Sequence, residues 1–238
     1  MKQFFITIFF VSFLGNLISQ QYILAFKSAY GLQMPYADLS QRYGANLDVS
    51  VGLEFQKKNG LSLGIAWAFL FGNNVKYDAL KTFREPTGIL IGVDGLASDV
   101  YYRSRGQQLG LDVSYNLGED KSGLVFGGGL GILTYYTAVV DDSRSFEQVL
   151  GKYQSLYTLK AIGPYVKPLL GYHYKSSSGL INGKILFETT LSMTKFSQAS
   201  PYNEFLANKS TFADHSFGVK LVWLLPLKKY GETTVKYF

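Results

Sequence analysis

The sequence predicts an all-β fold: an eight-stranded antiparallel transmembrane β-barrel with short periplasmic turns and long extracellular loops. Three observations predict it. The chain opens on a segment built like a secretory leader. Eight later segments, most of them nine to thirteen residues long, alternate apolar side chains with small or polar ones. Short and long connections then alternate between those segments.

The leader comes first. Met1-Lys2 carries one positive charge, Phe4 to Leu14 is almost wholly apolar, and Leu17-Ile18-Ser19 ends on a small residue before Gln20. That is the order of a cleavable secretory signal. The apolar run is shorter than the roughly 20 residues a helical span requires. The expected organisation is therefore a signal peptide over 1–19, the barrel over 20–225 and a periplasmic tail over 226–238. The chain has no cysteine, which excludes lipid acylation, disulfides and thiolate metal sites.

Composition fits strands that hide their apolarity. Hydrophobic residues make up 47% and charged ones 17%, with 18 Tyr, 18 Phe and 25 Gly, yet no later stretch is apolar for helix-spanning length. The net charge of +6 is spread along the chain, so nucleic acid is not an expected partner.

Side chains of a strand point to opposite faces with period two. In Ala45 to Gln56 one face carries Leu47, Val49, Val51, Leu53 and Phe55; the other carries Asn46, Asp48, Ser50, Gly52, Glu54 and Gln56. Leu61 to Phe71 sets Leu63, Ile65, Trp67 and Phe69 against Ser62, Gly64, Ala66 and Ala68. Leu109 to Leu117 opposes Gly110, Asp112, Ser114 and Asn116 in the same way. Ile181, Ile185, Phe187, Leu191 and Met193 oppose Asn182, Lys184, Glu188 and Ser192. Phe217 to Leu225 opposes Ser216, Gly218 and Lys220. Val125 to Leu133 has glycine as its small face, Gly163 to Tyr174 includes prolines, and Tyr22 to Leu32 is a weaker first strand. Ordinary globular strands average about 5–6 residues. A tilted strand crossing a bilayer needs about 9–11. Length decides for the membrane.

The connections agree. Lys57–Gly60, Gly118–Ser122 and Tyr174–Gly179 are short and polar; Gln33–Tyr43, Gly72 to about Ser104, Ala138–Leu159 and Ser197–Ala213 are long. Such alternation belongs to outer-membrane barrels, whose periplasmic turns are short. In hydrocarbon every backbone group must be paired, so the sheet must close. The inverse arrangement, a soluble lipocalin-type barrel with the apolar face inside, preserves the same periodicity. Size separates the two: Trp67, Phe69, Phe71 and Trp223 need outside room, while Gly, Ala and Ser suit the narrow lumen of eight strands.

That register puts Lys27, Lys167, Lys184 and Lys220 inside with Asp48, Glu54, Asp112 and Glu188. Four charges of each sign predict an ion-paired, occluded interior, because buried charges persist only when paired.

The leader, the long alternating strands and the turn-and-loop order resemble small outer-membrane barrels of the OmpA/OmpX type. The aromatic-rich style and the ending Thr234-Val235-Lys236-Tyr237-Phe238 look like the PorT/PorG-like barrels of gliding, type IX-secreting bacteria. The resemblance implies a Gram-negative outer-membrane location. It departs at the C-terminus, where Thr234 and Lys236 occupy positions that are normally apolar in the insertion signal.

Candidate chemistry is sparse, and no catalytic residue, metal site or cofactor is expected. His173 and His215 are two, whereas catalytic zinc takes three protein ligands. Ser216 beside His215 cannot act with it, since neighbours in a strand face opposite ways. Gly127-Gly128-Gly129-Leu130-Gly131 continues as a strand, without the helix and Lys-Ser or Lys-Thr of a phosphate loop. Asp141-Asp142-Ser143 reads as a solvated turn. Phe146, Val149, Leu150, Tyr153 and Tyr157 recur at helical spacing and predict a short amphipathic helix over the barrel mouth. Arg103 and Arg105, near Tyr101, fall on the lipid side beyond the membrane part of the fourth strand. They suit lipopolysaccharide phosphates and equally an ordinary interfacial ring.

The expected role is a non-enzymatic envelope scaffold or accessory subunit. It would meet outer-membrane lipid and lipopolysaccharide, and protein partners through its extracellular loops. A narrow channel and a lipid-modifying enzyme are the alternatives.

Overall fold

The computed structural model describes residues 22–118, 122–149, 157–176, 182–198 and 211–230. Outside them lie the leader over 1–19, the end of the tail, Ile181, and Leu150 and Tyr153 of the expected helix. Eight antiparallel strands form a closed barrel in sequence order, with the last pairing back to the first. They are β1 (Tyr22–Ala37), β2 (Asn46–Lys57), β3 (Leu61–Gly72), β4 (Val100–Asn116), β5 (Gly123–Asp141), β6 (Lys160–Lys175), β7 (Asn182–Gln198) and β8 (Phe212–Tyr230).

The bulky face of each strand points out. Trp67, Phe69, Leu109, Ile132, Phe187 and Trp223 are among the many exposed large apolar residues, forming a belt around the barrel. The small and polar face points in. Turns set the pairing at one end: Gly60 takes a φ of +88° that suits only glycine readily, and the Leu61 N–H donates to Asn59 Oδ1.

The strands outrun the alternation that predicted them. β4, β5, β7 and β8 have 17 to 19 residues, while β2 and β3 have 12. Most of the extra length lies at the long-loop end. There the apolar alternation gives way to Tyr101, Tyr102, Arg103 and Ser104, but backbone pairing continues up to Val100 with Asp141.

The C-terminal boundary also moves. The barrel was expected to end at Leu225, yet β8 runs through Pro226 to Tyr230. Proline lacks an N–H and should interrupt a ladder. Here the register shifts between Leu24 and Ala25, so that Ala25 faces Pro226 and Leu24 faces Lys228. One extra residue on β8 absorbs the defect as a bulge, and pairing resumes.

Against the upper ends of β1 and β8 sits a short helix, α1 (Asp38–Arg42), in what the sequence presents as a loop. The Asp38 carboxylate accepts the Ala213 N–H at 2.7 Å, tying it to β8. The helix's own Leu39 joins Tyr43, Leu70, Tyr77, Leu133 and Tyr135 in a buried cluster inside the barrel mouth. A second cluster above contains Leu80, Leu90, Val139, Phe146, Val149 and Tyr157. Its described part includes a 3-10 turn at Glu147–Val149, where the sequence suggests α-helix.

Candidate functional site

The lumen collects side chains from six strands. Lys27 (β1), Asp48 and Glu54 (β2), Asp112 (β4), Lys167 (β6), Lys184 and Glu188 (β7) and Lys220 (β8) are all buried. Up to six strands lie between these in sequence, but closure brings them together. Asp48 meets Lys220 at 3.0 Å, and Lys220 meets Glu188 at 3.2 Å. Glu188 meets Lys167 at 3.4 Å, Lys167 meets Asp112 at 3.3 Å, and Asp112 meets Lys27 at 3.0 Å. The six form one continuous chain of alternating sign. Lys184 and Glu54 make a separate pair at 2.5 Å.

Neutral donors reach two of the acids. Gln33 Nε2 donates to Asp48 at 2.7 Å, Gln56 Nε2 donates to Glu54 at 3.0 Å, and Ser216 Oγ donates to Gln33 Oε1 at 3.2 Å. Glycine makes the room. A Cβ on Gly129 would lie 2.3 Å from Asp112 Oδ1, and one on Gly110 would lie 2.1 Å from the Tyr165 hydroxyl oxygen. The void beside this network is about 10 Å³, lined by Lys27, Asp112, Tyr165, Lys167 and Lys220. That suffices for about one water molecule. Nothing the size of a substrate fits.

Each end also carries buried polar contacts among the described residues. At the short-turn end His173 lies buried between Asn116, 3.0 Å from its Nδ1, and Asn182, 2.5 Å from its Nε2. At the long-loop end Arg42 of α1 is buried and pairs with Asp214 of β8. Its guanidinium lies 5.6, 5.4 and 5.2 Å from the ring centres of Tyr43, Phe196 and Phe212. Thr194 Oγ1 donates to the other oxygen of Asp214. The Tyr43 ring stacks on Tyr135 at 5.8 Å, and its hydroxyl meets Thr137 Oγ1 at 2.9 Å. Sequence reasoning missed Arg42 and Asp214, because both lie at or beside connections, where no alternation marks a face.

The remaining candidates stay apart. His215 packs beside Tyr36 at 5.3 Å and its Nδ1 accepts the Ser192 N–H at 3.2 Å, while Ser216 turns inward to Gln33. No group of three metal-ligating side chains occurs among the described residues. Asp141 closes its own turn by accepting the Phe146 N–H at 2.8 Å and the Ser143 hydroxyl.

Arg103 and Arg105 lie on the outward face of β4, half-buried. Arg103 Nη2 donates to the Tyr101 hydroxyl at 2.8 Å, with its guanidinium 4.9 Å from that ring centre. Arg105 Nη1 donates to the Ser104 carbonyl at 2.8 Å.

In the loop between β3 and β4, Asp78 pairs with Arg84 and accepts the Tyr102 hydroxyl and the Leu80 N–H. Partial burial raises its carboxyl, but those donors outweigh burial and hold it below the usual carboxylate range. Farther along, Ile91 bridges Ala97 around a turn at Gly95, whose φ is +75°. This hairpin is fixed by Gly92 N–H to Leu96 O and Val93 N–H to Ser145 O, both 2.8 Å, with Leu90 buried beneath. Its tip is bare: Val93 is 68% and Leu96 66% exposed.

No protein-family profile matches the chain, and no curated protein resembles it by sequence. Among solved structures it is similar to Ail, the attachment invasion locus protein of Yersinia pestis. In its complex with the heparin analogue sucrose octasulfate, the identity is 7% and the TM-score 0.44, over 87% of this chain and 99% of that one. A second Ail structure gives 6% identity and a TM-score of 0.42 over the same shares.

Proposed function

We propose that this chain is an outer-membrane barrel that works from its extracellular loops as a non-enzymatic docking platform for a protein partner. The observation that carries the reading is the bare hairpin over residues 89–97. Ile89, Ile91, Val93 and Leu96 are held rigidly in an exposed position. Rigid apolar exposure of this kind marks an interaction site more often than it marks simple solvation. The segment 85–100 contains Glu85, Asp94 and Asp99 and no Lys or Arg, although the chain as a whole carries +6. The fitting partner therefore has an apolar patch flanked by basic groups.

Membrane placement rests on the outward apolar belt and on closure, which leaves no unpaired strand edge. Cleavage after residue 19 and lipopolysaccharide contact at Arg103 and Arg105 belong to the same reading. The ion-paired lumen is assigned a structural role, so planar-bilayer recordings of the purified barrel are expected to stay silent; steady conductance would favour the channel alternative.

The direct test is co-purification from native membranes in mild detergent, with wild type beside Val93→Asp/Leu96→Asp. A stoichiometric partner held by wild type and lost by the variant supports the platform. A partner retained equally by both overturns it.

A further inference from the structure

The outward face of the barrel is electrically one-sided. Among the described strands below Asp141, every carboxylate points inward: Asp48, Glu54, Asp112, Glu188 and Asp214. The outward charges at the long-loop edge of the apolar belt are all basic. On β4, Leu109 and then Gln107 lead to Arg105 and Arg103. On β6 the outward series ends Ile162, Lys160, and on β7 it ends Met193, Lys195.

Strand register places these residues together. Phe71 faces Arg105, Arg105 faces Tyr136, and Tyr136 faces Lys160, in one lateral row across four strands. Lys195 faces Ile162, the outward neighbour of Lys160. Nothing in the sequence links Arg105 with Lys160. Strands lie about 4.8 Å apart, so the Cα atoms of Arg105 and Lys160 are about 10 Å apart. Arg103 and Arg105, two positions apart on one face, are separated by about 7 Å.

We propose that Arg103, Arg105, Lys160 and Lys195 form a site for a phosphorylated saccharide lipid of the outer leaflet, with two phosphates taken at two separate points. The inference rests on the membrane placement and arginine contact proposed above, and it names the ligand class. Each arginine fork accepts a phosphate through paired N–H donors, and the lysines supply point charges. Tyr136 stands between the two basic groups, where its ring can lie against a sugar. One phosphate on a glycerol headgroup cannot supply a separate anion to each group. A disaccharide bearing a phosphate on each sugar can.

The test uses the full-length protein in phosphatidylcholine nanodiscs, with lipid retention read by native mass spectrometry. The probes are bisphosphorylated lipid A, its monophosphoryl form and phosphatidylglycerol. Wild type is expected to retain the bisphosphorylated form about tenfold better than either of the others, the ratio that one charged contact supports. Arg105→Gln/Lys160→Gln is expected to lose that preference, and Lys160→Arg to keep it. Heat-modifiable migration verifies that each variant barrel is folded; these side chains lie outside the lumen, so the interior is untouched. Equal retention of phosphatidylglycerol and lipid A by wild type overturns the site, as does an unchanged preference in the double variant. Partner loss in Val93→Asp/Leu96→Asp is read independently, so failure of the platform and failure of this site are distinguishable.

Discussion

Arg42 on α1 pairs with Asp214 at the start of β8, across 172 residues of chain, and both side chains are almost wholly buried. The pair clips the first loop over the barrel mouth. Arg42 Nε and Nη1 have no hydrogen-bond partner of their own, so Asp214 is the main compensation for this charge. Removing one member of a buried pair strands the other in a poor solvent. Asp214→Ala is expected to destabilise the folded barrel by about 3–5 kcal/mol. Arg42→Met/Asp214→Leu should lose much less, because neither charge remains. Urea-unfolding midpoints in lipid vesicles measure both; a double variant as weak as the single one would contradict the account.

The lumen network predicts an order among lysines. Lys167 bridges Asp112 and Glu188, but each acid has another cation, Lys27 for Asp112 and Lys220 for Glu188. Glu54 is bridged by Lys184 alone among the described lysines, with the Gln56 amide donating to the same carboxylate. Lys184→Met is therefore expected to cost about 3–5 kcal/mol and Lys167→Met distinctly less. The folded fraction on unheated gels across a urea series reads the order, and its reversal would remove the basis for treating the network as chained.

Much of this was legible in the sequence, for one physical reason. A strand that separates lipid from a packed lumen must alternate, so the faces of Asp48, Glu54, Asp112 and Lys220 follow from counting by two. Counting stops working where the solvent changes. Above the belt β4 packs Val100 and Tyr102 against the loop cluster instead of small lumen side chains, so Tyr101 to Ser104 show no contrast and the strand's continuation to Val100 leaves no periodic trace. Arg42 is hidden for a similar reason: α1 has five residues, too few to display a helical period. Pro226 misled in the opposite direction, since the bulge that accommodates it depends on the register against β1. The row from Arg105 to Lys160 requires knowing which strands are neighbours and at what offset.

Adjacent glycines on β5 give a sharp control. A Cβ on Gly129 would fall 2.3 Å from Asp112 Oδ1 and 3.0 Å from the Leu111 carbonyl oxygen, inside the network. A Cβ on Gly128, facing out, would meet only the Lys167 carbonyl oxygen at 3.4 Å, an ordinary contact. Gly129→Ala is expected to cost about 1–3 kcal/mol through overpacking. Gly128→Ala should change stability by less than about 0.5 kcal/mol, as benign surface substitutions do. The two differ in facing alone, so equal losses measured by vesicle unfolding would place the lumen wrongly.

Acid should loosen the loop between β3 and β4 before it opens the barrel. Asp78 is held below the usual carboxylate range by Arg84, Tyr102 and the Leu80 N–H, against the effect of its burial. A depressed folded-state value means the carboxylate contributes stability above its unfolded value of about 3.9. That contribution fades as pH falls through the folded value. Between pH 5 and 8 the contribution should stay constant, since the group is charged in both states. Hydrogen exchange read by mass spectrometry is the measurement: amides around 78–84 should lose protection as pH drops below about 4 while those of β4 and β5 keep theirs. Asp78→Asn, which cannot hold Arg84 by charge, should show the loosened loop already at pH 7 and little further change on acidification. If the variant matched wild type at pH 7, the Asp78–Arg84 pair would be an ornament of the surface, not the clasp of this loop.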